Sequence, residues 1–135
     1  MMYIDTNVII AFIDDLDPNH SKAVDLLRSS KEDKVASKLT LIELASVYSR
    51  ANLEDPLALA IYSVKYAGIR VVDINFNEVL IRAFKLAKLL RLRTLDLLHI
   101  ATCKIMNATR FATFDKDIIS KSGLIERIGI EVVTK

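Results

Sequence analysis

The sequence predicts an α/β layered fold built on a mainly parallel sheet. Short apolar runs that read as strands alternate with segments of helical apolar spacing along the chain. The composition agrees: 52% of residues are hydrophobic, with only 3 Gly and 2 Pro, which excludes disorder and collagen-like sequence and favours a compact, helix-rich globule. At 135 residues, with no stretch resembling a flexible spacer, one domain over 1–135 is expected.

Met2 to Ile4 is a short apolar run ending at Asp5-Thr6-Asn7, so a strand is expected, followed by a buried helix over the wholly apolar Val8 to Ile13. Pro18 reads as the opening of a second helix through Leu27, with Ala23, Val24 and Leu27 inward. Val35-Ala36 reads as a brief strand. Thr40 is expected to begin a helix to about Ala51, with Leu41, Leu44, Ala45 and Tyr48 at helical spacing. Pro56 opens the next helix, whose body from Leu57 to Ala67 is apolar almost all round and needs burial or a partner surface, and Gly68 stops it. Ile69 to Ile74 reads as a strand. Asn75 to about Leu90 reads as a long helix with Val79, Ala83, Leu86, Ala87 and Leu90 toward the core and a basic opposite face. Asp96 to Met106 reads as a helix, Arg110 to Thr113 as a strand, Lys116 to Ser122 as a short helix before Gly123, and Ile130 to Val133 as the last strand.

Several function classes drop out. The longest apolar segments are broken by charges well short of the roughly 18 residues needed to cross a bilayer, so no membrane role is expected. No basic region precedes the first apolar run, and a single cysteine, Cys103, sits among apolar neighbours; a reducing, cytoplasmic location fits both. The net charge of +2 is too small to mark a nucleic-acid binder by itself.

Four acids stand out by position. Singly, each has a structural explanation at a helix start: Asp5 or Asn7 as a cap, Thr40-x-x-Glu43 as a capping box, Asp96 in a first turn, and Asp115 ahead of Lys116. Together they point elsewhere. Asp5 and Asp115 directly follow apolar strands and Glu43 follows Val35-Ala36 by a short loop, so a parallel sheet brings them to one edge, where Asp96 can join from its helix. Converging carboxylates repel unless a cation neutralises them, and hard oxygen donors select magnesium or manganese. Such an ion suits phosphodiester hydrolysis, activating water and offsetting charge on the phosphate.

The blocks Met2-Tyr3-Ile4-Asp5-Thr6-Asn7-Val8, Thr40-x-x-Glu43-Leu44, Asp96-x-x-His99-Ile100-Ala101 and Ala112-Thr113-Phe114-Asp115 resemble, in this order, the PIN-domain family, and VapC-like toxins within it. The resemblance spans nearly the whole chain. No single block is strong, since Thr-x-x-Glu is also a capping box, but four in the right order are specific. It implies a three-layer α/β/α sandwich around a parallel sheet, Mg2+- or Mn2+-dependent cleavage of single-stranded RNA, and a toxin–antitoxin pairing. It also carries catalytic and metal-binding roles to Asp5, Glu43, Asp96 and Asp115, with Thr6 and Asn7 bonding metal-held waters.

The remaining candidates read more plainly. His99, one helical turn after Asp96, invites a reading as metal ligand or general base, but its apolar neighbours and the preference of magnesium for oxygen favour a core histidine with one satisfied hydrogen bond; His20 reads as surface, and Asp117 as a solvated cap. Arg82, Lys85, Lys88 and Arg91, followed by Arg93, either track an RNA backbone or form a solvated helix face. Tyr48, Tyr62 and Tyr66 are spaced for packing rather than for base stacking.

The expected partners are an RNA substrate, single-stranded or structured, a small antitoxin seated near the first helices or the Leu57–Ala67 helix, and a second copy in a homodimer. One alternative is a PIN nuclease of ribosomal or transfer RNA maturation, distinguished by overexpression that leaves growth unharmed. Another class is an aspartyl-phosphate receiver or phosphatase domain, opposed by the lack of Asp-x-Asp after the first strand.

Overall fold

The computed structural model describes every residue from Met1 to Lys135. Five strands, β1 (Met2–Ile4), β2 (Lys34–Ala36), β3 (Arg70–Val71), β4 (Arg110–Ala112) and β5 (Glu131–Val133), form one sheet in the order β3-β2-β1-β4-β5. Every pairing is parallel; Tyr3 lies opposite Val35 on one side and Phe111 on the other. The chain winds outward from β1 through β2 to β3, then returns to the far side of β1 for β4 and β5. Winding therefore reverses at β1, and a crevice opens beyond the carboxyl ends of β1 and its neighbours.

That reversal sorts the helices onto two faces. α1 (Thr6–Ile13), α2 (His20–Ser29), α3 (Lys38–Arg50) and α4 (Pro56–Tyr66) share a core with Met2, Ile4 and Ala36. α5 (Phe76–Leu90), α6 (Thr94–Ile105), α7 (Lys116–Ile119) and α8 (Ser122–Arg127) share the other with Tyr3, Val35 and Phe111. Neighbouring strand residues fall into opposite cores because a strand alternates its side chains. The result is the expected three-layer α/β/α arrangement. No helix is long and apolar enough to cross a membrane.

Several local readings change. α3 begins two residues earlier than expected, at Lys38 after Ser37, and Thr40 stands at its third position with Oγ1 accepting from the Ser37 N–H at 3.4 Å. The capping box therefore uses Thr40 rather than Glu43, which leaves Glu43 without a capping role. α2 starts at His20, after a turn through Pro18. β3 holds only Arg70 and Val71, so most of the apolar run from Ile69 to Ile74 lies outside the sheet. Gly68, at φ +72, supplies the left-handed residue beyond α4 as expected. Gly123, expected as a stop, lies inside α8, a helix that the sequence reading did not anticipate. Ala87, expected in the core, is exposed.

Candidate active site

The end of β1 delivers Asp5 into the crevice, where it is 4% exposed and caps α1. Its Oδ1 accepts from the Thr6 N–H at 2.9 Å, and its Oδ2 accepts from the Thr113 hydroxyl at 2.7 Å and the Asn7 amide at 3.2 Å. Thr113, one residue beyond β4, thus ties the two central strands together. Its Oγ1 also accepts from the Asp115 N–H at 3.0 Å, while Asn7 Oδ1 accepts from the Phe114 N–H at 3.1 Å. Asp115 caps α7, its Oδ1 accepting from the N–H groups of Asp117 and Ile118. The capping explanation is therefore correct for Asp5 and Asp115, and it does not remove them from the crevice.

Glu43 comes from α3 and meets His99 of α6, whose Nε2 donates to Oε1 at 3.0 Å. The other ring nitrogen, Nδ1, lies 2.7 Å from the Tyr3 hydroxyl, itself 2.9 Å from Ser37 Oγ. His99 is thus a core histidine with two partners, and it joins the acidic site to the sheet. Donor atoms of Asp5, Glu43 and His99 all lie within 4.8 Å of one another. His20 is also more than surface, with Nδ1 2.8 Å from the Ala11 carbonyl.

Electrostatics separate these groups. Burial pushes the Asp5 carboxyl up, only partly offset by His99 and the Thr113 hydroxyl, and the Glu43 charge adds to the rise. Asp96, in the first turn of α6, is pushed up to about 6 by burial and by the charges of Asp115, Asp5 and Glu43. Burial opposes ionisation of Glu43 too, but the hydrogen bond from His99 and the nearby Thr6 hydroxyl outweigh it and hold this carboxyl below its ordinary value. Burial acts to lower His99, yet the bond to Glu43 and the charges of Asp5, Glu43 and Asp96 raise it overall. The Thr6 hydroxyl favours charged Glu43 from nearby without completing a hydrogen bond, so Thr6 Oγ1 is a buried polar atom with no partner.

The four acids singled out in the sequence thus come together at one edge of the sheet: Asp5 and Glu43 in direct proximity, Asp96 and Asp115 close enough to repel. The donor set is oxygen-rich, short of positive charge, and contains the orphaned Thr6 hydroxyl. It fits a hard divalent cation. Thr113 was missed as part of the site and His99 was set aside as a core histidine, because the partners that place them there are 108 and 56 residues away in sequence.

The sequence profile of the PIN domain matches residues 2–124. The chain belongs to the PIN-domain family. A search of curated proteins gives no match. Solved structures of similar fold include a toxin–antitoxin complex from Klebsiella pneumoniae, at 18% identity and TM-score 0.69, over 99% of this chain and 97% of that one. VapC20 of Mycobacterium tuberculosis, described as a sarcin–ricin loop cleaving toxin, aligns at 17% identity and TM-score 0.71 over 89% of this chain and 94% of that one. FitAcB from Neisseria gonorrhoeae aligns at 22% identity and TM-score 0.66, over 99% and 97%. At these identities the likeness concerns the PIN fold itself.

Proposed function

We propose that this PIN-domain protein is a metal-dependent endoribonuclease that hydrolyses phosphodiester bonds in RNA and serves as the toxin of a toxin–antitoxin pair. In this reading 1–135 forms a single PIN domain that works in the cytoplasm. Asp5, Glu43, Asp96 and Asp115 are the catalytic set and the ligands for Mg2+ or Mn2+. The observation that carries the reading is the convergence of Asp115, Asp5 and Glu43 on Asp96, with His99 as the one side chain among them able to carry positive charge.

Bound there, the cation supplies Lewis acidity toward water and toward a phosphate oxygen. The protein's own groups prepare for it. Thr113, Asn7 and the Thr6 N–H fix both oxygens of Asp5, and His99 fixes Glu43, so these carboxylates need little reordering. The unpaired Thr6 hydroxyl is available to a water or phosphate oxygen. Aspartyl-phosphate chemistry fits less well, because both oxygens of Asp5 are already engaged and the side chain is almost fully buried.

The partners follow from surface and likeness. α4 leaves Leu57, Ile61, Tyr62 and Tyr66 exposed, the kind of face that receives an amphipathic helix, and a toxin–antitoxin complex is among the structures of similar fold. A second copy has its own candidate face at the α5–α6 groove, where Phe84 is 82% exposed.

The test is cleavage of a labelled single-stranded RNA with Mg2+ or Mn2+, beside chelator and an Asp5→Asn variant purified identically. Activity lost under both conditions supports the reading. Absence of both cleavage and metal binding in the intact protein would overturn it. Overexpression that leaves growth unharmed would favour RNA maturation over a toxin role.

A further inference from the structure

The end of α5 and the start of α8 flank an open cavity of about 580 Å³ lined by Lys85, Lys88, Leu89, Arg91, Lys121 and Leu124. No acid lines it. None of its four cations forms an ion pair, although the molecule pairs Arg70, Arg110, Lys38 and the N-terminus elsewhere. A second hollow of about 190 Å³ shares Arg91 and Lys121 and continues past Arg93 and Ser120 to Asp117. The N–H of Asp117 donates to Asp115 Oδ1 at 2.8 Å, and Arg93 precedes α6 three residues before Asp96. Through the second hollow the cations therefore reach the turn that Asp115 caps.

Four like charges around one concavity repel one another, an arrangement that an anion relieves. Arg91 adds a conformational signal. It terminates α5 at φ +52, a left-handed position; the other non-glycine residues that take one are Asn52, Asp55 and Asn107, of the two types that tolerate it best, and Gly68 takes it after α4. A side chain at such a position is kept at a conformational cost that glycine avoids. The turn sets Arg91 on the cavity with Lys85 and Lys88, while Arg82, which begins the same run of threes in the sequence, lines neither hollow.

We infer that Lys85, Lys88, Arg91 and Lys121 hold the sugar-phosphate backbone of single-stranded RNA as it leaves the acid cluster, an inference that rests on reading that cluster as a ribonuclease site. A concave cationic trough suits a flexible single strand, and Leu89 and Leu124 between the cations offer contact to sugars. No aromatic ring lines the trough, so it grips phosphates without reading bases. Any sequence preference must arise elsewhere.

The test is the affinity of a short labelled single-stranded RNA for the full-length protein, in chelator so that no cutting occurs, over a series of salt concentrations. Lys88→Gln with Lys121→Gln removes two cavity cations; Lys31→Gln with Lys65→Gln removes two exposed cations elsewhere. The cavity pair is expected to weaken binding about tenfold or more and to flatten the log–log salt slope by about 1.4, at roughly 0.7 per phosphate contact on a single strand. The control pair is expected to match the unaltered protein. Arg91→Gly separates binding from folding: the melting temperature should hold or rise while RNA affinity falls. Equal effects of the two pairs, or unchanged RNA affinity in Arg91→Gly, would overturn the inference. So would tighter binding of duplex DNA through the same cations. Cleavage with Mg2+ or Mn2+ is followed in parallel. RNA cut by the unaltered protein but bound normally by the cavity variants removes the trough and leaves the ribonuclease. RNA held through these cations with no metal-dependent cleavage upholds the trough and removes the hydrolytic reading.

Discussion

The two ends of the one parallel sheet neutralise their carboxylates to different degrees. At the amino ends of the strands, Glu32 is paired with Arg110 and the N-terminal ammonium, Asp33 with Arg70, and Glu131 with Arg110. The Arg70 bond holds Asp33 below its ordinary value. At the carboxyl ends, Asp5 and Asp96 are pushed up instead, Glu43 is held down chiefly by its bond from His99, and that single histidine faces four acids. A protein that can neutralise its acids with arginine at one end, and does not at the other, keeps the second end ready for a cation from outside. The difference separates charge used for stability from charge held for chemistry.

Asp96→Asn tests that contrast most sharply, because Asp96 is repelled by its neighbours. Removing its charge is expected to reduce metal-dependent cleavage by about 10²-fold or more, the scale of losing one electrostatic contact in a transition state. The metal-free protein should become more stable. Its Asp96 carboxyl titrates at about 6 in the fold against an ordinary 3.8, so the associated stability is fully present below the ordinary value and is lost as pH rises through about 6. Discounted for the partly exposed side chain, the gain for Asp96→Asn at pH 8 is about 1 kcal/mol. Thermal melts in chelator against pH check it; a variant less stable than the parent at pH 8 would break the comparison.

The same titration makes metal binding depend on pH. Protons compete for Asp96 below about 6, so the apparent metal affinity of the intact protein should fall by about tenfold per pH unit from there downward. Isothermal titration with Mn2+ at pH 5 and 7.5 reads this directly. Equal affinity at both would mean that the cation avoids the acid cluster.

Much of the carboxyl end was legible because strand ends are local features. Asp5 and Asp115 come just after apolar runs, and the parallel pairing of Ile4 with Ala112 brings the ends of those two runs to one edge of the sheet. The rest depended on distant pairing. Nothing near His99 in sequence announces Glu43 or Tyr3, so its apolar neighbours pointed only to the core, where it does lie. Ser37 and Thr40 both offer helix-starting hydroxyls, and local pattern does not choose between them. Gly123 reads as a stop only if its backbone is left-handed, and it is not. β3 is a short edge strand that pairs only with β2, and apolar content alone does not say how far such a strand stays paired.

Tyr3→Phe probes how the sheet supports the site. The ring stacks on Phe111 at 5.4 Å and Phe keeps that contact, while the bonds to His99 and Ser37 are lost. A buried imidazole nitrogen left without its partner costs about 1–3 kcal/mol. With His99 less firmly held, Glu43 is less firmly held, and cleavage should fall about tenfold, the usual scale for groups that orient metal ligands. Denaturant melts and turnover measured together decide it. Lost stability with full turnover would make the network purely structural.

Glu32→Gln should do the least, and its smallness is informative because β4 carries both chemistries: Arg110 opens the strand, and Asp115 follows three residues after its end. Glu32 is partly exposed, and Arg110 retains Glu131 at 3.3 Å as a second partner. The loss of stability should therefore be about 1 kcal/mol or less, and it should shrink further as salt screens the pair. RNA cleavage should stay at the parent level. A Glu32→Gln variant that melts normally but cuts poorly would show that β4 transmits charge changes from one end of the sheet to the other, and the division of labour between the two ends would not hold.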